Sequence, residues 1–247
     1  MQTKNAGKFV SSVNEDAYYA GLFHRLDRFI DAIVLRKRDE MFARIFDAGG
    51  LRLEAVSNVL DVGSTKDTQF LSSNFFARKL SQSARITLFS DQPIDPDRDL
   101  DFAVEKVLVG DATQINPTIG RYDLVMSSAT IEHVGNADNQ RRMIDSCIYV
   151  ARKFVVITTP NRWHPIEFHT RLPLLHWLPP RLYRWVLARI GLTFFADEGN
   201  LNLLDQAAMR KLIDETVQRN RIKSWRLEKI RLLGVVSNLI FVLELEP

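Results

Sequence analysis

Five short apolar runs organise this chain, because each breaks off at a small, acidic or proline residue. They are NVLDVG (58–63), RITLFS (85–90) before Asp91, the run 104–109 before Gly110 and Asp111, YDLVMS (122–127), and FVVIT (154–158) before Thr159, Pro160 and Asn161. Apolar runs of this length between turn-forming residues read as strands buried on both faces. Helical or loop patterns separate them, including predicted helices over 68–80 and 137–152. Strands alternating with such segments favour a parallel sheet with right-handed crossovers. All the strand C-termini then lie along one edge, and that edge is where such sheets bind ligands.

The rest of the chain fits around this core. Leu22, Leu26, Phe29, Ile30, Ile33 and Val34 recur at helical spacing within 16–47, and Gly49 and Gly50 end that region. A helix is expected over 203–217. Strands are expected over 225–233 and 238–245, and with no helix between them they should pair antiparallel. At 247 residues, one elaborated domain is expected. It divides into a helical extension (1–57), the core (58–161), an insertion (162–200) and a completion of the same sheet (201–247).

Thirty-three basic against 30 acidic side chains leave a formal charge of +3, too balanced for a general nucleic-acid binder. Lys4 and Lys8 are followed by no apolar stretch of the kind a secretory signal needs, and no run is long enough to span a membrane. A cytoplasmic location is therefore expected. The single cysteine, Cys147, falls in a predicted helix and reads as a buried structural thiol.

Asp61, Asp91 and Asp111 each stand at or just past the end of a predicted strand, so all three should line one crevice. A carboxylate after the second strand can accept two hydrogen bonds from a vicinal diol, as on a ribose. One after the third strand suits an exocyclic amine such as that of adenine. Asp is also a common turn former, and that reading stays open for each.

In order and spacing, NVLDVGS (58–64), LFSDQ (88–92), VGDAT (109–113), YDLVMSSATIEHV (122–134) and VVITTPN (155–161) resemble the class I S-adenosylmethionine-dependent methyltransferases, small-molecule branch. The longer string from TPNRWHPIEFHT to LHWLP is similar to methyltransferases found with bacterial surface-polysaccharide biosynthesis. The resemblance implies an α/β, Rossmann-like methyltransferase fold: a seven-stranded, mostly parallel sheet with an antiparallel last strand and helices on both faces. It implies S-adenosylmethionine as cofactor and a small-molecule or glycan acceptor, methylated on oxygen.

By the same resemblance Asp91 meets the ribose, and Asp111 and Ala112 the adenine. Gly63 and Ser64 lie at the methionine end, Ser127 and Ser128 near the sulfonium, and Asp61 and Gln92 also bind the cofactor. His133 is the expected base, with Glu132 beside it; the competing readings are a packed histidine and a capping glutamate. Some relatives hold a metal with acids and a histidine here, but the position three before Glu132 is Ala129, so no metal is expected.

The family carries more glycines after the first strand than Gly63-Ser64-Thr65-Lys66-Asp67 provides. Their lack counts against a pyrophosphate-bearing dinucleotide. It also keeps a second reading open, a methyltransferase-like binding or scaffold protein without turnover.

Five arginines (162, 171, 181, 184, 189), three tryptophans (163, 177, 185) and one acid, Glu167, mark the insertion. Pro180 should start a helix with Leu182, Tyr183, Val186, Leu187 and Ile190 on one face. Three uses compete: a lid over the site, a basic helix contacting a membrane through 162–195, and ordinary packing. If the insertion folds back, His164, Glu167 and His169 reach the mouth of the site.

Overall fold

The computed structural model describes residues 24–46, 51–66 and 71–247. Helix α1 (His24–Phe46) precedes strand β1 (Asn58–Val62), helix α2 (Phe75–Leu80), strand β2 (Arg85–Ser90), helix α3 (Pro96–Asp99) and strand β3 (Lys106–Val109). Strand β4 (Tyr122–Ser128), helix α4 (Ala137–Val150) and strand β5 (Ala151–Pro160) complete the first half of the sheet. Helices α5 (Pro180–Arg189), α6 (Thr193–Ala196) and α7 (Gln206–Val217) lead to strands β6 (Ile222–Leu232) and β7 (Val235–Leu245).

The seven strands lie in the order β3-β2-β1-β4-β5-β7-β6. β1 to β5 pair in parallel, and β7 runs antiparallel to both neighbours. Side-chain alternation sorts the core onto the two faces. Leu60, Val125, Val155, Ile157 and Phe241 meet Met143, Ile144 and Cys147 of α4 and Met209 and Ile213 of α7. Val59, Leu124, Met126, Val156 and Ile240 meet Phe42 and Ile45 of α1 and Phe76 and Leu80 of α2. Helices therefore cover both faces, as expected. Burial pushes the Cys147 thiol up to about 12, which leaves it an inert part of that core.

Several boundaries differ from the sequence reading. Residues 16–23, Gly49, Gly50 and 68–70 lie outside the described residues. The rest of the helix expected over 68–80 is helical only from Phe75; residues 71–74 form a turn that ends at Asn74 in the left-handed region (φ 48°). α7 starts at Gln206 because Asp205 caps it, accepting from the Ala208 N–H at 2.8 Å. β6 begins three residues before the expected 225 and stops at Leu232, β7 begins three before the expected 238, and only Leu233 and Gly234 join them, both at positive φ (52° and 82°). Such a two-residue connection matches the twist of a hairpin, but it is usually announced by Asn-Gly.

Candidate active site

The C-terminal ends of β1 to β5 share one edge, and the turn after β1 sits at its centre. Gly63 has φ +91°, and a Cβ there would stand 2.1 Å from the Thr130 hydroxyl oxygen. Both the conformation and the close approach require glycine. The N–H groups of Gly63 and Ser64 both donate to the Phe89 carbonyl (2.8 and 3.2 Å). What this turn offers a ligand is therefore its carbonyl oxygens, which suit an ammonium better than a carboxylate.

Ser64 also donates its hydroxyl to Asp61 Oδ2 at 2.7 Å. Asp61 is buried. Burial raises its carboxyl to about 6, against the opposing pull of the Ser64 hydrogen bond and the Arg38 guanidinium. Arg38 reaches this point from α1 and donates to Ser128 Oγ at 3.5 Å. Burial lowers its pKa, while Asp61, Asp31 and Glu132 favour its charge. No feature of the sequence distinguishes Arg38 from the other basic residues of its helix.

Asp91 follows β2, is exposed, and accepts no hydrogen bond from the described residues. The neighbouring Gln92 N–H donates to Ser90 Oγ at 3.2 Å. Asp111 is partly a turn former. One of its oxygens caps the short turn Ala112–Gln114, accepting from the N–H and hydroxyl of Thr113 at 2.8 Å each. Its second oxygen accepts nothing from the described residues. Ser127 is buried with an unpartnered hydroxyl, and Ser128 accepts from Thr158 Oγ1 at 3.1 Å.

The tight turn Ile131–His133 carries the other half of the site. Glu132 is fully buried; Oε2 accepts from Thr159 Oγ1 at 3.0 Å, whereas Oε1 has no hydrogen-bond partner. His133 Nδ1 lies 2.7 Å from the Asn200 carbonyl, and its Nε2 lies 3.0 Å from Nε2 of His169. His169 Nδ1 lies 2.7 Å from Glu167 Oε1. Burial pushes the Glu167 carboxyl up, but the hydrogen bond and charge of His169, with the backbone N–H groups of His169 and Thr170, hold it at about 2. Glu167 is thus a carboxylate that orients His169.

These contacts fix the proton positions by inference from the network. A carbonyl and a carboxylate only accept, so both Nδ1 atoms carry hydrogen. In the neutral rings the two Nε2 lone pairs would then face each other at 3.0 Å. Added positive charge would relieve that contact.

The insertion that supplies His169 has its own apolar cluster of Tyr183, Leu187, Phe195 and Leu201. Leu182 and Ile190, expected on the packed face of α5, are exposed, because burial follows Tyr183 and Leu187, one turn apart. His164 is buried and bonded within the loop, with Nδ1 2.9 Å from the Ile166 carbonyl, so the fold-back brings in His169 and Glu167 but not His164. From sequence no metal is expected because position 129 is alanine; the fold brings His169, from 36 residues further on, beside His133 and Glu132. No helix among the described residues is long and apolar enough to cross a membrane.

No family model and no curated protein matches the chain. Among solved structures it is similar to the methyltransferase domain of bacterial CtHen1-C (TM-score 0.57, 12% identity, 86% of this chain and 100% of that one). It is also similar to magnesium protoporphyrin IX methyltransferase ChlM from Synechocystis PCC 6803 with bound S-adenosylhomocysteine (TM-score 0.54, 14%, 93% and 91%). A third is the N-methyltransferase NodS from Bradyrhizobium japonicum WM9, also with S-adenosylhomocysteine (TM-score 0.51, 14%, 86% and 87%). At these identities the likeness establishes the fold. The chain has the Rossmann-like methyltransferase fold, a mostly parallel seven-stranded sheet with an antiparallel last strand.

Proposed function

We propose that the protein is an S-adenosylmethionine-dependent methyltransferase acting on a hydroxyl of a small-molecule or glycan acceptor. The observation that carries this reading is a single strand edge with two halves: Asp91, Asp111 and the Gly63 turn on one side, and the Glu132, His133 and His169 cluster on the other. The crevice fits the cofactor: the Gly63 carbonyl and Asp61 would hold its ammonium, Asp91 its ribose and Asp111 its adenine. When bound, S-adenosylmethionine supplies a methyl carbon made electrophilic by a sulfonium.

The chain's own residues then have three tasks: to hold an acceptor oxygen in line, to exclude water and to deal with the hydroxyl proton. His133 and His169 suit the last, since their facing lone pairs gain from positive charge between them. A dinucleotide reductase is disfavoured, because the N–H groups that would cradle a pyrophosphate are held by Phe89.

Calorimetric titration tests the reading. S-adenosylhomocysteine should bind in the micromolar range, about −8 kcal/mol. Asp91→Ala should weaken binding by roughly 1.5–3 kcal/mol through loss of charge-assisted hydrogen bonds. Binding of NAD in place of S-adenosylhomocysteine would refute the proposal.

A further inference from the structure

Two hydrogen-bond acceptors stand side by side at the strand edge. His133 Nε2 and His169 Nε2 lie 3.0 Å apart, and both rings are only half-buried. We propose that these two imidazoles recognise a vicinal diol on a sugar ring of the acceptor, one hydroxyl donating to each Nε2.

Three observations carry the assignment. First, both tautomers are fixed from behind. His133 Nδ1 lies 2.7 Å from the Asn200 carbonyl, and His169 Nδ1 lies 2.7 Å from Glu167 Oε1. Each Nδ1 is therefore the donor, and each neutral ring offers an accepting Nε2.

Second, the spacing selects the kind of donor. The oxygens of a gauche diol stand about 2.9 Å apart because the bonds between them are staggered. They match nitrogens 3.0 Å apart. A lone hydroxyl has one proton and satisfies one ring. An ammonium has protons enough, but tetrahedral N–H groups in hydrogen bonds of about 2.8 Å reach acceptors about 4.6 Å apart. The pair would have to open by about 1.6 Å to take it.

Third, the nearest buried polar atom is another acceptor. Glu132 Oε1 lies 3.9 Å from His169 Nε2 and has no hydrogen-bond partner. A carboxylate or phosphate would meet only acceptors here, whereas a polyhydroxylated ring brings donors. His133 sits on the turn after β4 and His169 on the insertion, so one sugar ring would bridge the core and the insertion. That this ring is the methyl acceptor rests on the methyltransferase reading; its capture by two imidazoles does not.

The test uses the full chain, isotopically labelled in its histidine nitrogens, with and without S-adenosylhomocysteine. Methyl α-D-mannopyranoside, methyl β-D-galactopyranoside and methyl β-D-glucopyranoside are the probes, and hydroxymethyl-tetrahydropyran, with its single hydroxyl, is the control. Binding is read from the imidazole nitrogen resonances, assigned with His133→Ala and His169→Ala. The proposal expects a glycoside to move both Nε2 resonances upfield together, and the control to bind at least about 10-fold more weakly. His169→Ala should weaken glycoside binding by at least about 10-fold, with S-adenosylhomocysteine affinity kept within a factor of about 3 and circular dichroism unchanged. A chain that binds S-adenosylhomocysteine while no glycoside moves either Nε2 would overturn the diol site and leave the methyltransferase reading standing. A control that binds as well as the glycosides, or a His169→Ala chain that binds them unchanged, would overturn it too. Both Nε2 shifts without S-adenosylhomocysteine binding would keep the diol site and sink the methyltransferase reading.

Discussion

Asp61→Asn should make the folded protein more stable at neutral pH and worse at binding its cofactor. Burial lifts the Asp61 carboxyl from 3.8 to about 6, so ionising it in the folded state costs about 3 kcal/mol more than in the unfolded chain. For an acid whose folded pKa is raised, the folded state binds more protons than the unfolded one between those values. Stability therefore falls as pH rises from about 4 to about 6, and the full penalty is present above that. Asparagine keeps an oxygen for the Ser64 hydroxyl and removes the charge. The variant should be more stable by about 1–3 kcal/mol at pH 8, which for a chain of this size moves the melting temperature by roughly 3–10 °C. At pH 4 the two proteins should nearly coincide. Thermal unfolding followed by circular dichroism across this range gives the answer. A variant that is less stable at pH 8, or one offset equally at both pH values, would refute the argument. Weaker S-adenosylhomocysteine binding in the more stable variant would show that the buried charge is kept for the ligand's ammonium.

Gly63→Ala should cost several kcal/mol, measured by denaturant unfolding, because its Cβ would collide with Thr130 and its φ is +91°. Adding Thr130→Ala should recover the collision but not the backbone strain. Asp111→Ala should lose about 1 kcal/mol of stability with its cap as well as cofactor affinity; Asp111→Asn, which keeps the cap, should lose mainly affinity. Arg184 pairs with Glu198 at 2.8 Å and Arg189 lies over the Trp185 ring, so these two arginines of the insertion have partners within the protein. The chain should accordingly ignore anionic vesicles in flotation at low salt. Co-flotation that disappears with added salt and with Arg181→Glu would establish the membrane contact instead.

The strand ends were legible because an apolar run terminated by Asp or Gly carries its own boundary, and Asp61, Asp91 and Asp111 lie along the edge the alternation requires. The residues alone implied five parallel strands and an antiparallel pair after them; their union in one seven-stranded sheet came from family resemblance. Two kinds of feature were hidden. Leu233 adopts positive φ in the β6–β7 turn without the side chain that usually signals it, so the sequence places Leu233 inside β6 and starts β7 three residues late. Contacts between distant segments left no local pattern: Arg38 reaches Ser128 across 90 residues, and His169 meets His133 across 36.

The place of β7 has a consequence for how the protein is made. β7 comes after β5 and β6 in the chain yet lies between them in the sheet. While the chain is being synthesised, β5 therefore presents an open edge ten residues long whose last six residues are all buried in the finished protein. Such an edge is a template for pairing with another chain. It is closed only by a segment about 80 residues later, so native closure is slow compared with local helix formation. The nascent protein passes through a stage in which the same strand that shapes the active-site edge is also its main aggregation hazard, and a slow ribosome or a chaperone at that stage would govern yield more than final stability does.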